Sequence, residues 1–150
     1  MKFIGIDVGK KRVGVASCDR LEMVSSPHSV IPVDGKTFEK IKKLVEDEEV
    51  DGVVIGLPLS MDGQERDACS EVRDFITKLK PLIKVPIHEM DERLTTKIAE
   101  SSLIESGMRR EKRKEIRDAV AASLILRTFI ERRRFDRENS SKPTNQIDEG

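Results

Sequence analysis

The first seventeen residues, MKFIGIDVGKKRVGVAS, constrain the fold more than any other part of the chain. Residues 2–8 form an apolar run that contains one acid, and residues 12–17 form a second apolar run after a Gly-Lys-Lys turn. This pattern predicts two antiparallel strands joined by a tight turn. It also places Asp7 inside an apolar strand, where a charged carboxylate is costly unless a cation or a hydrogen-bond donor offsets it.

The rest of the pattern continues the sheet and adds helices. Further strands are predicted at 23–31, 53–57 and 85–90, and helices at 36–48, 65–79, 94–106 and 112–133. Three antiparallel strands followed by strand–helix crossovers predict an α/β fold, a mixed sheet with helices on both faces. We expect one domain over residues 1–138 and a polar, disordered tail over 139–150.

Composition excludes several classes of protein. No apolar run reaches the length of a membrane span or a signal peptide, so a cytoplasmic chain is expected. Cys18 and Cys69 lack CxxC spacing and are expected to be reduced core thiols. Aromatic residues make up only 3% of the chain, so base-by-base stacking along a single strand is not expected.

A net charge of zero conceals a basic segment near the end of the chain. Residues 108–137 contain eleven basic and five acidic residues, which gives this stretch a formal charge of +6. A basic segment on a neutral protein is consistent with a polyanionic partner such as nucleic acid. The alternative is a solvated helix face, which is the more common origin of charge runs.

Acidic residues end two of the predicted parallel strands. Asp7 ends the first strand, and Asp91 and Glu92 follow the strand predicted at 85–90. The carboxyl ends of parallel strands meet at one edge of a sheet, so these acids are expected to converge there. The alternative for Asp91 or Glu92 is a place near the N-terminus of the following helix, where the helix dipole favours an acid.

Asp118 is the third candidate acid. It shares a face of the last predicted helix with Ala122, Ile125 and Phe129, so this face is expected to point inwards and to carry Asp118 with it. A structural salt bridge to one of the neighbouring basic residues is the alternative. Three acids from separate elements predict a divalent-metal site, because Mg²⁺ prefers oxygen ligands. Two such ions can support phosphodiester hydrolysis.

Four motifs together resemble one known family. They are IGIDVGKKRVGVASCD (4–19), VVIGLPLSMDG (53–63), DERLTT (91–96) and IRDAVAASLIL (116–126). Their order and spacing are similar to those of the YqgF/RuvX family, Holliday-junction-resolvase-like nucleases with a ribonuclease H-like fold. The resemblance covers about residues 3–130.

The resemblance implies an activity and a set of site residues. It implies that the chain is a hydrolase, specifically a nuclease with Mg²⁺ or Mn²⁺ as cofactor. It implies that the catalytic, metal-binding acids are Asp7, Glu92 and Asp118, with Asp91 as the alternate to Glu92. It also implies ribosome biogenesis in the cytoplasm, by processing of the 5′ end of the precursor of 16S rRNA. Resolution of branched DNA by a homodimer is the alternative activity.

Basic residues beside the acids are candidates for nucleic-acid binding. Arg12 opens the second strand, and a guanidinium can bind phosphate through two hydrogen bonds. Arg93 follows Asp91 and Glu92, where helix capping is an equally good role. The basic segment adds Arg109, Arg110, Arg113 and Lys114.

Two functions other than nuclease activity are also compatible with parts of the sequence. The Asp-Val-Gly-Lys-Lys motif resembles the phosphate loop of sugar kinases and actin-like ATPases, but those proteins need a second similar domain that 150 residues cannot supply. A non-catalytic nucleic-acid-binding factor is the other alternative, and the presence of all three acids argues against it.

Overall fold

The computed structural model describes residues 1–21, 24–58, 67–91 and 110–141. The strands in these ranges are β1 (Phe3–Val8), β2 (Arg12–Cys18), β3 (Ser25–Pro32), β4 (Gly52–Leu57) and β5 (Ile87–Asp91). The helices are α1 (Thr37–Asp47), α2 (Asp67–Leu79), which is followed by a 3₁₀ turn (Lys80–Leu82), and α3 (Arg110–Ser141).

The strands form one sheet in the order β3-β2-β1-β4-β5. β2 is antiparallel to both β1 and β3, whereas β4 is parallel to both β1 and β5. The prediction of a mixed sheet with three antiparallel strands and further parallel strands is therefore confirmed. This topology brings the carboxyl ends of β1, β4 and β5 to one edge of the sheet.

Each face of the sheet is covered by helices. On one face, apolar residues of β1 and β2 pack against α1 and α2, with Ile41 and Leu79 fully buried. On the other face, α3 supplies Ala122, Ile125 and Leu126, which are also almost fully buried. Burial of each large aliphatic side chain stabilises the fold by about 1.5–3 kcal/mol, so α3 is held firmly against β1 and β2.

The helix α3 lies unusually close to the sheet. A Cβ atom added to Gly5 of β1 would lie 2.7 Å from the carbonyl oxygen of Ala122 and 2.8 Å from the Cβ of Leu126. Only glycine at this position permits such an approach. The short distance fixes the height of α3 above β1, the strand that ends with Asp7 and Val8.

Several element boundaries differ from those predicted. β3 runs from Ser25 to Pro32 rather than over 23–31, and α3 runs on to Ser141 rather than ending at 133. The extension contains no glycine or proline that would end the helix. The predicted helix at 94–106 and residues 142–150 of the predicted tail lie outside the described residues.

Two predictions from composition can be compared with the structure. Cys18 and Cys69 are buried and free of disulfides, as predicted, and the Cys18 sulfur accepts a hydrogen bond from the backbone N–H of Phe3 at 3.2 Å. Over the described ranges, no helix is long and apolar enough to cross a membrane.

Candidate nuclease site

Asp7 lies near the carboxyl end of β1 and is half-buried. β1 is parallel to β4, so Asp7 is at the end of the sheet where the parallel strands finish. In the antiparallel pairing of β1 with β2, Asp7 is directly opposite Gly14. Residues that are opposite each other in such a pair have Cα atoms about 4.5–5.5 Å apart and point to the same face of the sheet. Asp7 therefore lies on the same face of the sheet as Gly14.

Gly14 is in contact with the helix that carries Asp118. A Cβ atom added to Gly14 would overlap the carbonyl group of Asp118 and lie 2.8 Å from the backbone nitrogen of Ala119. The backbone of Asp118 thus lies directly over Gly14, which is one strand away from Asp7. The fold brings Asp7 and Asp118 to the same face of the sheet, the α3 face, although they are 111 positions apart in the chain.

The sequence pattern alone does not mark Gly14 as a functional residue. It lies inside a strand that is otherwise rich in β-branched and small apolar residues. A glycine inside a strand often marks the close approach of another backbone, so the signal was present. What the sequence did not supply is the identity of the approaching segment, the α3 backbone at Asp118 and Ala119.

Arg12 forms an ion pair with Asp118. The Arg12 Nε donates to Asp118 Oδ2 at 3.1 Å, and the two side chains are 32% and 20% exposed. Neither the terminal amino groups of Arg12 nor Asp118 Oδ1 makes a hydrogen bond to any residue that the structure describes. Asp118 therefore has an ion-pair partner on β2, whereas the alternative predicted from the sequence was a salt bridge to one of the basic residues that neighbour Asp118 in the chain.

The ion pair has an electrostatic consequence for the acids. Two carboxylates on one half-buried face repel each other, and a guanidinium beside one of them offsets part of that repulsion. Arg12 keeps its terminal donors available while its Nε is held by Asp118. Such a fixed guanidinium can bind a phosphate oxygen with little loss of side-chain entropy.

Asp91 lies on the other face of the sheet. It is the last residue of β5 and is paired in register with Leu57, which packs in the core beneath α1 and α2. Its neighbour Met90 packs on the α3 side. Because successive strand residues alternate between faces, the backbone directs Asp91 away from the face of Asp7 and Asp118.

The other predicted site residues are only partly within the described chain. Glu92, Arg93 and Arg109 lie outside the described residues. Arg110, Arg113 and Lys114 lie in the first two turns of α3, the end of the helix that precedes Asp118. Within the described ranges no group of three His, Cys, Asp or Glu side chains is arranged to hold a metal ion.

Two side chains with shifted pKa values lie at the opposite end of β1 from Asp7. The hydrogen bond from Lys2 Nζ, 2.8 Å long, lowers the pKa of Glu48. Burial lowers the pKa of His88, and the positive charge of Arg133 lowers it further. The His88 ring packs against Phe3 at a centroid distance of 6.1 Å, so His88 lies in the core beneath α3, whereas Glu48 caps the end of α1.

The donor set of the site suits a hard divalent cation. Asp7 and Asp118 both offer carboxylate oxygens, and Asp118 Oδ1 makes no hydrogen bond to a described residue. Oxygen ligands are those that Mg²⁺ and Mn²⁺ prefer, and Mg²⁺ is commonly held by few carboxylates together with substrate phosphate. The described residues therefore fit the cofactor that the sequence predicts.

Solved structures with the same fold include two junction-resolving enzymes. T. thermophilus RuvC in complex with Holliday junction substrate aligns with a TM-score of 0.56 at 13% identity, over 89% of this chain and 96% of that one. The Fowlpox virus resolvase in complex with Holliday junction DNA aligns with a TM-score of 0.57 at 12% identity, over 88% and 98%. The predicted ribonuclease H-like fold is confirmed.

Curated proteins found by sequence share a higher identity with this chain than the two solved structures do. A protein of Natranaerobius thermophilus is 37% identical over 134 residues, which are 88% of this chain and 95% of the relative. One of Endomicrobium trichonymphae is 41% identical over 133 residues, 87% of this chain and 95% of the relative. Both carry the name "Putative pre-16S rRNA nuclease".

A family model agrees with these relatives. The model described as "RuvX: Holliday junction resolvase" matches residues 1–132, which include Asp7, Arg12, Glu92 and Asp118. This match covers most of the chain and confirms the resemblance seen in the four motifs. The chain therefore belongs to the RuvX family and is a nuclease, a hydrolase of phosphodiester bonds.

Proposed function

We propose that this chain is a divalent-metal-dependent endonuclease that processes the 5′ end of the precursor of 16S rRNA in the cytoplasm. One observation carries the chemical part of the proposal: Asp7 and Asp118 lie on one face of the sheet, each next to Gly14, with Arg12 bound to Asp118. The names of the relatives at 37–41% identity support the choice of substrate.

Asp7, Glu92 and Asp118 are the residues that we propose hold the metal ions, two in number. Bound Mg²⁺ or Mn²⁺ supplies activation of the attacking water and stabilisation of the leaving oxygen. The carboxylates position the ions and offset their charge. Asp91 lies on the face of the sheet opposite Asp7 and Asp118, and this supports the choice of Glu92 instead of Asp91 as the second acid.

Arg12 has two roles in this proposal. Its Nε holds Asp118 in place, and its terminal amino groups bind the phosphate that is cleaved. Arg12→Ala is expected to lower the cleavage rate by about 10- to 100-fold and the free energy of unfolding by less than about 1 kcal/mol, since the pair is partly exposed. Single-turnover cleavage and urea unfolding measure the two effects.

Arg127→Ala is the matched control for Arg12→Ala. Arg127 makes a comparable ion pair, with Nε 3.0 Å from Glu131 Oε1, on an exposed turn of α3. Its removal is expected to leave cleavage unchanged. Equal losses in the two variants would show that Arg12 acts only through general charge.

The basic segment is proposed to bind the nucleic-acid backbone. Simultaneous replacement of Arg109, Arg110, Arg113 and Lys114 by Gln is expected to weaken RNA binding and to reduce the slope of log K against log salt concentration by about 3, because each phosphate contact contributes about 0.7–0.9. Binding titrations at several salt concentrations measure this slope.

A matched set of lysines controls for total charge. Lys36, Lys40, Lys42 and Lys43 are exposed on or beside α1, which packs on the face opposite α3. Their replacement by Gln removes the same charge and is expected to leave the salt slope within about 1 of the original value. If replacement of the four residues of the basic segment left the salt slope unchanged, the basic segment would be a solvated helix face that does not bind nucleic acid.

Resolution of branched DNA is the second candidate function, and the description of the matching family model favours it. Symmetrical cutting of a four-way junction requires two active sites related by a two-fold axis, and therefore a homodimer. Sedimentation of the chain alone and with a junction would establish whether that dimer forms.

A direct comparison of substrates tests both functions. A structured precursor of 16S rRNA and a four-way DNA junction are each incubated with the chain in Mg²⁺, in Mn²⁺ and in EDTA. Metal-dependent cutting of the RNA alone supports the first function, and cutting of the junction alone supports the second. Binding of either nucleic acid without any cutting would favour a non-catalytic factor.

A further inference from the structure

A cavity of about 480 Å³ lies beside the Arg12–Asp118 ion pair. The described residues that line it are Arg12, Pro27, His28, Ser29, Val30, Pro32 and Ala119. It lies between the edge strand β3 and the part of α3 that follows Asp118. The size is within the range of small-molecule sites, about 300–1,000 Å³, and neither Asp7 nor Asp118 is among its described lining residues.

The lining has a charged end and an apolar body. Arg12 is paired with Pro32 in the β2–β3 register, and Val30 is paired with Gly14, so both β3 residues lie on the α3 face. Val30, Pro32 and Ala119 give apolar walls, and the Ser29 hydroxyl lies 2.9 Å from His28 Nδ1. Because the terminal amino groups of Arg12 bond to no described residue, this end of the cavity is suited to an anion.

The edge strand argues against a peptide as the occupant. A peptide that binds along β3 would extend the sheet through backbone hydrogen bonds. Pro27 and Pro32 have no N–H to donate, and prolines on an edge strand discourage such pairing. An anionic group joined to a flat, largely apolar body matches this lining better, and a nucleotide has that chemistry.

We propose that this cavity, the β3–α3 pocket, binds one nucleotide of the substrate strand next to the phosphate that is cleaved. Arg12 binds the phosphate, and Val30, Pro32 and Ala119 contact the sugar and base. The pocket would select an unpaired nucleotide, since a base in a duplex cannot enter it. The proposal rests on the proposed nuclease function for the identity of the substrate.

Binding of adenosine 5′-monophosphate and of inorganic phosphate tests the pocket directly. Both are titrated into the full chain in EDTA, so that neither binds through a metal ion, and the affinities are measured by NMR. We expect the nucleotide to bind about tenfold more tightly than phosphate, which corresponds to partial burial of its sugar and base.

Val30→Phe fills the pocket without altering Arg12 or the acids. It is expected to reduce the affinity for the nucleotide to that for phosphate and to leave phosphate binding unchanged. Val33→Phe is the matched control, because Val33 is 46% exposed and is not among the lining residues, and it is expected to keep the tenfold preference. If Val30→Phe does not fold, Pro27→Phe replaces it, since Pro27 is an exposed lining residue.

The outcomes separate this proposal from the nuclease function. Equal affinities for nucleotide and phosphate in the unaltered chain, absence of binding by either, or a preference that survives Val30→Phe would each overturn the pocket. Cleavage of RNA or junction DNA by the same preparation is measured independently. A nucleotide preference in a chain that cuts neither substrate would keep the pocket and overturn the proposed function in cleavage of the 16S rRNA precursor or of branched DNA.

Discussion

Asp7→Asn is expected to lower metal-dependent cleavage by at least about 100-fold while the fold remains intact. The substitution keeps the shape of the side chain but removes the negative charge that would hold a divalent cation. Stabilisation of the transition state by such an ion is worth several kcal/mol, and each 1.36 kcal/mol corresponds to a tenfold change in rate. Single-turnover cleavage in Mg²⁺ and in Mn²⁺ measures the loss.

The same variant is expected to keep its stability. Asp7 is half-buried at the end of an apolar strand, and an ionised carboxylate in that environment lowers the stability of the fold unless it is compensated. Asparagine keeps the size and the carbonyl oxygen of the side chain without the charge, so the free energy of unfolding is expected to change by less than about 1 kcal/mol. Urea unfolding of the two proteins provides the comparison.

Asp47→Asn is the matched control for the loss of charge. Asp47 is the exposed last residue of α1, which packs on the face of the sheet opposite Asp118. We expect Asp47→Asn to cut at the original rate in both metals. Full activity in Asp7→Asn would exclude Asp7 from the site, and equal losses in both variants would point to overall charge instead of a local ligand.

Sequence periodicity predicted the elements that position these acids. The apolar run at the start of the chain predicted β1, with Asp7 near its end, and the spacing of Ala122, Ile125 and Phe129 predicted the buried face of α3. Ala122 and Ile125 are almost fully buried and Phe129 packs against the same cluster. Periodicity succeeded here because burial of one face is a local property of a strand or helix.

Long-range pairings could not be predicted in the same way. The sequence identified both Arg12 and Asp118 as site candidates, but no local pattern shows that their side chains meet across 106 positions. The face of Asp91 depends on its register with Leu57, a residue of another strand. A shift of one residue in that register would move it to the opposite face, and the sequence does not specify the register.

Gly14→Ala is the second substitution with a large expected effect, and it acts through the helix instead of the charge. The new methyl group would overlap the backbone of Asp118 and Ala119. A backbone carbonyl cannot move aside by a change of rotamer, so α3 must shift away from β2. Overpacking of this kind is expected to cost about 3 kcal/mol, which lowers the melting temperature by roughly 6–12 °C.

The shift of α3 also has a consequence for cleavage. Asp118 would move away from Asp7 while the Arg12 side chain follows it or loses its 3.1 Å hydrogen bond. Misplacement of a catalytic group by about 1 Å can lower a rate by about 100-fold. Gly14→Ala is therefore expected to lose cleavage below its melting temperature, where circular dichroism still shows folded protein.

Gly35→Ala distinguishes a steric effect from a general effect of replacing glycine. A Cβ atom added to Gly35 has no neighbour within 4 Å, so this variant is expected to melt within a few degrees of the unaltered chain and to cut normally. If Gly14→Ala also kept its melting temperature and its activity, the α3 backbone would not be in contact with Gly14. That result would contradict the placement of Asp118 close to Asp7, and with it the proposed site.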